Sequence, residues 1–490
     1  MAYLLTLFSG ILTGLAMPGN LFSFLIWGSL IFYLKNMAFS EKTYQRFFHT
    51  LIFSFSMLAT TLWWQIPVLS KNIPEVIGGY SSVLGYLAFF GMILLLTLPY
   101  FFIWLMSELY NRKWRKYNYV QLVLFYSFAF TAAEILKQYG DLAFTGGSLG
   151  YALYDHIGIL QLASFGGYLF LSFIIVLVNS VVAFSKDKDT LKKLFICVSL
   201  VYAINFSFER FIPQNTEGED FSLTAIQLNI PQEIKYQSGV WNQYALFSDL
   251  LSDSKNYPGD LVILPESAFI QDIKDTEISN MLKLNIKNLG KSVIMGYPTV
   301  TETDAYNTAY LYNENGEITD SYNKVKLTPF AEFLPYNVIF GKMSMFRLIR
   351  YYTPGENYNI FNVKGVPVGT QICFETYFPE VSSKLTENGA GFLLAITNDG
   401  WFNTNTGLKQ HFTQSVFRAV ENRRDFVQVS NTGITAHIDR YGRITEKFDT
   451  GKNYTDNFNV KLNTEKTVYN STKTLFQIAV FIITLLLAII

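Results

Sequence analysis

The sequence predicts a multi-span α-helical membrane protein that carries one α/β domain, and three observations lead there. Of 490 residues, 50% are hydrophobic and only 16% charged, against about 25% charged in soluble domains, and mean hydropathy is +0.21. The apolar residues concentrate at the two ends of the chain. Between them the texture changes to short strand-like runs separated by helical patterns and turn signals. The expected organisation is a membrane domain over 1–211 with seven helices, an outer domain over 212–470, and a last membrane helix over 471–490.

Seven apolar runs precede residue 210, at about 3–16, 21–34, 48–69, 82–109, 119–136, 158–184 and 194–209, and an eighth closes the chain at 474–490. A membrane crossing needs ~20 largely apolar residues. The first two runs are short and are joined by a Pro-Gly turn. The first is not read as a cleavable signal, because no Lys or Arg precedes it and more spans follow. Alternate loops carry the basic residues: Lys35, Lys42 and Arg46; then Arg112, Lys113, Arg115 and Lys116; then Lys186, Lys188, Lys192 and Lys193. Positive loops stay cytoplasmic. The N-terminus is therefore expected inside, and residues 212–470 outside.

Composition also narrows the function. Formal net charge is zero, so no basic footprint suggests nucleic acid. Two cysteines, Cys197 and Cys373, cannot make a disulfide framework. Four histidines (His49, His156, His411, His437) lack zinc-ligand spacing. Neither a metal nor a cofactor is expected.

In the outer segment, strand-like runs fall at 223–230, 260–266, 292–300, 307–313, 366–374 and 391–398. Ile278, Met281, Leu282, Ile286 and Leu289 recur at helical spacing, and 409–424 reads as a second helix. NENGE and DRYGR mark hairpin turns. Three segments each set one reactive side chain beside a strand end: Glu266 in VILPESA, Lys324 with Glu332 in YNKVKLTPFAEFLP, and Cys373 with Glu375 in QICFETYFPE. Taken singly, each has an ordinary structural reading: a solvated or capping Glu, a surface Lys, a small buried Cys. Together they suggest nucleophilic acyl chemistry. A thiol near pKa ~8.5 needs a base or a cation to react at neutral pH. Glu266 could accept the thiol proton, and Lys324 could stabilise both the thiolate and a tetrahedral oxyanion.

At these segments the chain resembles a known family. PESA, then YNK-x-x-L-x-PF-x-E, then CFE-x-x-FPE is similar to the nitrilase (carbon–nitrogen hydrolase) superfamily, and the flanking spans narrow the likeness to the apolipoprotein N-acyltransferases. AIQLNIPQ (225–232), TNDGWF (397–402), QHF (410–412), RAVENRR (418–424) and SNTGITA (430–436) fit as well. The resemblance implies eight membrane helices with a nitrilase-like α-β-β-α sandwich. It implies Glu266 as general base, Lys324 as oxyanion stabiliser and Cys373 as nucleophile. Glu332 then holds the lysine, Glu375 is the acidic residue two after the nucleophile, and Phe374 is a supporting position beside it. Two positions depart from the family pattern: Phe374 stands where Tyr is usual, and Tyr236 where Trp is common, with Trp241 nearby.

The implied reaction moves an acyl chain from a phospholipid, at sn-1, through a Cys373 thioester to the α-amine of a diacylated apolipoprotein. The implied setting is the bacterial cytoplasmic (inner) membrane, with the catalytic domain periplasmic and the protein a monomer. Between Glu332 and Cys373, Phe340, Met343, Met345, Phe346, Leu348 and Ile349 interleave with Lys342, Arg347 and Arg350. In a soluble domain this is a core helix; beside a bilayer it reads as an interfacial arm or lid. Its closeness in sequence to Lys324 and Cys373 favours the lid, so Tyr236, Trp241, Phe340, Met343, Met345 and Phe346 are expected at substrate. The rival readings are a membrane-tethered amidohydrolase using the same three residues and a catalytically silent scaffold.

Overall fold

Period-two alternation organises residues 220–461 in the computed structural model, which describes the chain except for 114–117, 186–188, 215–216, 275, 343–350 and 490. Twelve strands form two six-stranded sheets: β1 (Asp220–Gln227), β2 (Leu261–Ile263), β3 (Ser292–Val300), β4 (Ala305–Tyr312), β5 (Ile318–Asn323), β6 (Phe361–Val363), β7 (Val366–Ile372), β8 (Phe392–Thr397), β9 (Phe426–Ser430), β10 (Ala436–Ile438), β11 (Ile444–Lys447) and β12 (Tyr454–Lys461). The first sheet runs β12-β1-β2-β3-β4-β5 and the second β11-β10-β9-β8-β7-β6. In each, three parallel strands sit at the centre (β1, β2, β3 and β7, β8, β9), flanked by antiparallel partners. Central parallel strands are covered on both faces, which is why VIL and FLLAI read as unbroken apolar runs.

Successive side chains in a strand point to opposite faces. Leu223, Ala225, Leu261, Ile263 and Ile294 meet Val368, Ile372, Leu394, Ile396 and Val429 of the other sheet in one core. The intervening Ile226, Val262, Val293 and Met295 pack with Phe247, Leu251, Ile278, Leu282 and Ile286 of the helices Val240–Asp253 and Glu277–Leu289. Helices Pro379–Glu387 and Asn405–Asn422 cover the second sheet. This is the α-β-β-α arrangement that the resemblance implies.

Strand ends differ from the expected ones for local reasons. The first run stops at Gln227, because Asn229 takes φ +49° and its N–H turns to Asn431 O at 2.7 Å. The run 366–374 stops at Ile372, because Cys373 takes φ +49° and opens a 3₁₀ turn over Cys373–Tyr377.

The chain divides into two units: Met1–Leu69, Ser82–Pro213 and Thr467–Ile490 form one, and Ser70–Ser81 with Gln214–Lys466 form the other. Ser70–Ser81 thus groups with the sheets. The turn Ile73–Val76 packs on the helix Gln232–Gln237, and Asn72 Nδ2 donates to Trp401 O at 2.8 Å.

In the helical unit, five described helices are long and apolar enough to cross a membrane: Ser82–Asn111, Tyr119–Leu136, Ala163–Ala183, Thr190–Phe211 and Val468–Ile489. The expected span 48–69 is two helices, Thr43–Thr61 and Gln65–Val76, bent by 75°; counted as one crossing they make a sixth. Pro67 explains the break, since a proline ring clashes with the carbonyl four residues earlier, here that of Trp63. The first two runs are the shorter helices Ala2–Leu15 and Ser23–Phe39. Eight expected crossings are therefore met by length only as far as five or six. Ala2–Leu15 lies close to Thr43–Thr61 through Gly10 and Gly14, where a Cβ would strike Ser56, Phe53, Thr60 and Met57, the close approach that G-x-x-x-G spacing permits.

Candidate active site

The three expected chemical groups reach one place from three strand ends. Glu266 follows β2, Lys324 follows β5 and Cys373 follows β7; a carboxyl end of an α/β sheet is where such folds bind ligands. Two backbone elbows aim them. Ser267 holds φ +54° directly after Glu266, and Cys373 itself holds φ +49°, a strained turn that lifts a nucleophile off its strand. Gly296 of β3 makes room for the first elbow, since a Cβ there would lie 2.9 Å from Glu266 Cα and 3.0 Å from Ile396 Cδ1.

Lys324 is 1% exposed. Its Nζ lies 3.7 Å from Glu266 Oε1, 3.0 Å from Glu332 Oε1 and 2.9 Å from Glu332 Oε2. Burial by itself lowers a lysine pKa, but Glu332, Glu266 and Cys373 outweigh it and hold Lys324 well above the usual lysine range. Burial likewise opposes ionisation of Glu332, yet Lys324, the Asn307 amide and the Thr328 N–H bring its carboxyl below the ordinary value. Lys324 is therefore a fixed cation rather than a proton shuttle. Asn307 Nδ2 donates to Glu266 Oε1 at 2.8 Å and to Glu332 Oε1 at 2.7 Å, joining the two carboxylates.

Burial pushes the Cys373 thiol up, and the charge on Glu266 adds to it; Lys324 draws it down, Asp399 up, and the Asn398 backbone N–H down. The resting group is a thiol, so reaction requires a base, and Glu266 is the carboxylate among its neighbours that Lys324 and Asn307 hold in place. Glu375 has a structural part. Its Oε1 accepts from Tyr322 Oη (2.8 Å), Val325 N (2.7 Å) and Lys326 N (3.1 Å), and its Oε2 from Ile372 N (2.7 Å). One carboxylate thus ties the Cys373 turn to the Lys324 segment. Burial pushes Glu375 up to about 7 against those donors.

The substrate-facing expectations fare differently. Tyr236 sets its ring 5.4 Å from Trp401, edge to face, while Trp241 is 47% exposed and makes no ring contact among the described residues. Phe340 ends the short helix Asn337–Phe340 with its ring 5.3 Å from Phe330. Met343, Met345 and Phe346 lie outside the described residues. Phe374, without the hydroxyl usual there, packs against Tyr377 and Phe378 at 5.3 and 5.5 Å.

Four residues at the site were not singled out from the sequence: Asn307, Lys235, Asp399 and His411. Lys235 is 1% exposed and donates to Ser267 O at 2.9 Å, beside the Glu266 elbow. Burial pushes its ammonium down to about 7, with Glu266 pulling the other way. Cys373, Asp399 and His411 offer atoms within 4.8 Å of one another, but both ring nitrogens of His411 already face hydrogen-bond acceptors. The available signals were the polar Asn at the head of an apolar strand run and the TNDGWF and QHF pieces.

Comparison with known proteins shows the family. The carbon–nitrogen hydrolase family model matches residues 222–455, and the model of the apolipoprotein N-acyltransferase N-terminal domain matches 9–181. The first places the two-sheet unit in the nitrilase-like class. Apolipoprotein N-acyltransferase of Thermotoga maritima is 36% identical over 468 residues, covering 95% of this chain and 89% of that one. That of Geobacter metallireducens is 26% identical, covering 96% and 91%. Among solved structures, Saccharomyces cerevisiae Nit3, a member of branch 10 of the nitrilase superfamily, aligns with TM-score 0.39 and 19% identity over 52% of this chain and 94% of that one. The chain belongs to the apolipoprotein N-acyltransferase family.

Proposed function

We propose that this chain transfers an acyl chain from the sn-1 position of a phospholipid to the α-amine of the N-terminal diacylglyceryl-cysteine of apolipoproteins, through a thioester on Cys373. The observation that carries the reading is the convergence of Glu266, Lys324 and Cys373 in a chain of this family. In the first half, Glu266 takes the thiol proton as sulfur attacks the ester carbonyl. Lys324 faces the negative oxygen that forms. The ester C–O bond then breaks, and Glu266 returns the proton to the departing lysophospholipid oxygen. In the second half, the neutral amine attacks the thioester, Glu266 takes a proton from nitrogen, and the C–S bond breaks to release the amide while Glu266 returns that proton to the Cys373 sulfur. Dividing the transfer at a thioester replaces one difficult step by two easier ones.

The catalytic unit is read as periplasmic, on a bacterial inner-membrane protein acting as a monomer. Eight crossings satisfy this, with the bent pair as one and the two short N-terminal helices as two, the bilayer thinning around them. Two independent features support the sidedness. The basic residues fall on the alternate loops. Ser70–Ser81, the end of the bent pair and the loop that follows it, groups with the catalytic unit, so both belong on one face.

The test is intact mass of the purified protein after incubation with a phosphatidylethanolamine, beside Cys373→Ala. An acyl adduct on wild type alone, released by hydroxylamine and chased onto a diacylated lipopeptide amine, is the expected result. Discharge to water only would replace transfer by hydrolysis, and no adduct at all would overturn both.

A further inference from the structure

A second charged pair lies beneath the nucleophile, and the transfer chemistry above does not use it. His411, on the helix Asn405–Asn422, is fully buried. Its Nδ1 is 2.7 Å from Asp399 Oδ1 and its Nε2 is 3.1 Å from the carbonyl oxygen of Cys373. A peptide carbonyl has no proton to give. Asp399 Oδ2 is already occupied by two donors, Thr397 Oγ1 and Ser430 Oγ, each at 3.2 Å. A neutral imidazole has one N–H and one lone pair. In either neutral tautomer, one ring nitrogen would aim its lone pair at an oxygen 2.7 or 3.1 Å away, too close for a water to lie between them. With both nitrogens protonated, both contacts are hydrogen bonds. The surroundings suit a cation: the Tyr377 ring lies flat against His411 (5.4 Å, 13°) and the Phe402 ring meets it edge-on (5.8 Å, 85°).

We propose that His411 is a positioning residue of this active site, held as an imidazolium that pins the Cys373 carbonyl and cancels, at the sulfur, the charge of Asp399. The inference deepens the acyl-transfer reading and rests on Cys373 being its nucleophile. The charged and titratable groups that face His411 come from three elements: Asp399 after β8, Cys373 and Tyr377 after β7, and Glu266 after β2. On its own helix, Arg418 and Glu421 are engaged with each other at 2.9 Å. Burial works to lower the His411 pKa, but the Asp399 charge and hydrogen bond, the Cys373 carbonyl and Glu266 together raise it above the ordinary value. The elbow at Cys373 also needs the bond. A left-handed backbone at a non-glycine residue persists only where its surroundings over-determine it, and His411 Nε2 holds the carbonyl of that residue.

The arithmetic at the sulfur follows. Glu266 and Asp399 disfavour the thiolate, and Lys324 and the Asn398 N–H favour it. Removing the imidazolium leaves an Asp399 carboxylate oxygen uncompensated within 4.8 Å of Cys373 Sγ. Its removal therefore raises the thiol pKa, and removing Asp399 as well restores it. A merely structural role predicts the reverse order, with the double variant at least as damaged as the single.

The experiment measures the rate of iodoacetamide alkylation of Cys373 against pH in the full-length protein in detergent, with Cys197→Ser so that one thiol reports. His411→Gln is expected to move the midpoint up by about one pH unit, which is about tenfold slower alkylation at neutral pH, and Asp399→Asn/His411→Gln to recover most of it. An unchanged profile in His411→Gln, or a double variant no better than the single, overturns the proposal. A second measurement needs no His411 variant. The wild-type protein with ¹³C,¹⁵N-labelled histidine has four residues to resolve, and His49→Gln, His156→Gln and His437→Gln assign the fourth by elimination. That signal is expected to be imidazolium at neutral pH, and a neutral tautomer there overturns the proposal. Neither measurement uses phospholipid or lipoprotein, so the acyl-transfer reading stands or falls separately by the mass experiment.

Discussion

Asn307 owns one amide nitrogen with two protons, and it gives one to Glu266 and one to Glu332. This arrangement ties Glu266, 3.7 Å from the Lys324 ammonium, to Glu332, which pairs with that ammonium at 2.9 Å. Asn307→Leu should preserve the fold and slow formation of the acyl-enzyme about 100-fold, a loss of ~2.7 kcal/mol in the barrier, read as the rate of adduct growth by mass. A rate within threefold of wild type would remove Asn307 from the machinery. Lys235 offers a different kind of test. Its folded pKa lies near 7, below the ~10.4 of an unfolded lysine, so between those values the unfolded chain binds more protons than the folded one. Stability from this group is therefore present at high pH and lost as pH falls through about 7, with a slope of up to ~1.4 kcal/mol per unit. Relative to Lys235→Met, the wild type should gain thermal stability from pH 7 to 9; parallel profiles would refute the shift. The convergence of Glu266, Lys324 and Cys373 was legible because each sits in a short ordered motif. Asn307, Lys235, Asp399 and His411 were not, because their parts are defined by partners on other strands. His411 meets a carbonyl 38 residues away in sequence, a contact that no spacing reveals.

Among the elements, β3 sets the clearance behind Glu266, the proposed general base. Gly296→Ala introduces a methyl group 2.9 Å from Glu266 Cα, and overpacking of this kind costs about 1–3 kcal/mol while displacing the carboxylate. Acylation should slow at least about tenfold, whereas Gly239→Ala, at an ordinary backbone angle with nothing within 4 Å, should act as wild type. Equal rates for the two would mean the elbow does not depend on Gly296. The Glu375 carboxylate plays the corresponding part on the second sheet, holding four donors from two segments. Strands that carry apolar residues on two faces were visible as runs: β3, β7 and β8 fall within a residue or two of expectation. The short β6 was not, since three residues leave no periodicity to read, and the exposed β11 was marked only by the DRYGR turn before it. Helix Glu277–Leu289 matched its pattern and ends on Gly290 at φ +70°, the usual left-handed stop.

For the whole molecule, the sidedness read from the basic loops makes a direct prediction. In a Cys197→Ser, Cys373→Ala background, a cysteine placed at Glu314 should react with an impermeant maleimide in intact spheroplasts, and one at Lys42 only after lysis. The opposite pattern would invert the topology. The number of crossings was less legible than their existence. A hydropathy window averages over a proline, so the run 48–69 was read as one span, although Pro67 itself marks the 75° bend before it. Ser70–Ser81 carries a consequence for biogenesis. The ribosome delivers these residues long before Gln232 and Trp401, the parts of the catalytic unit they pack against. They are made early and wait for those partners until the second sheet closes. Assembly order therefore cannot follow synthesis order, and a gene trimmed to begin at residue 214 would encode a catalytic unit that lacks one of its own pieces.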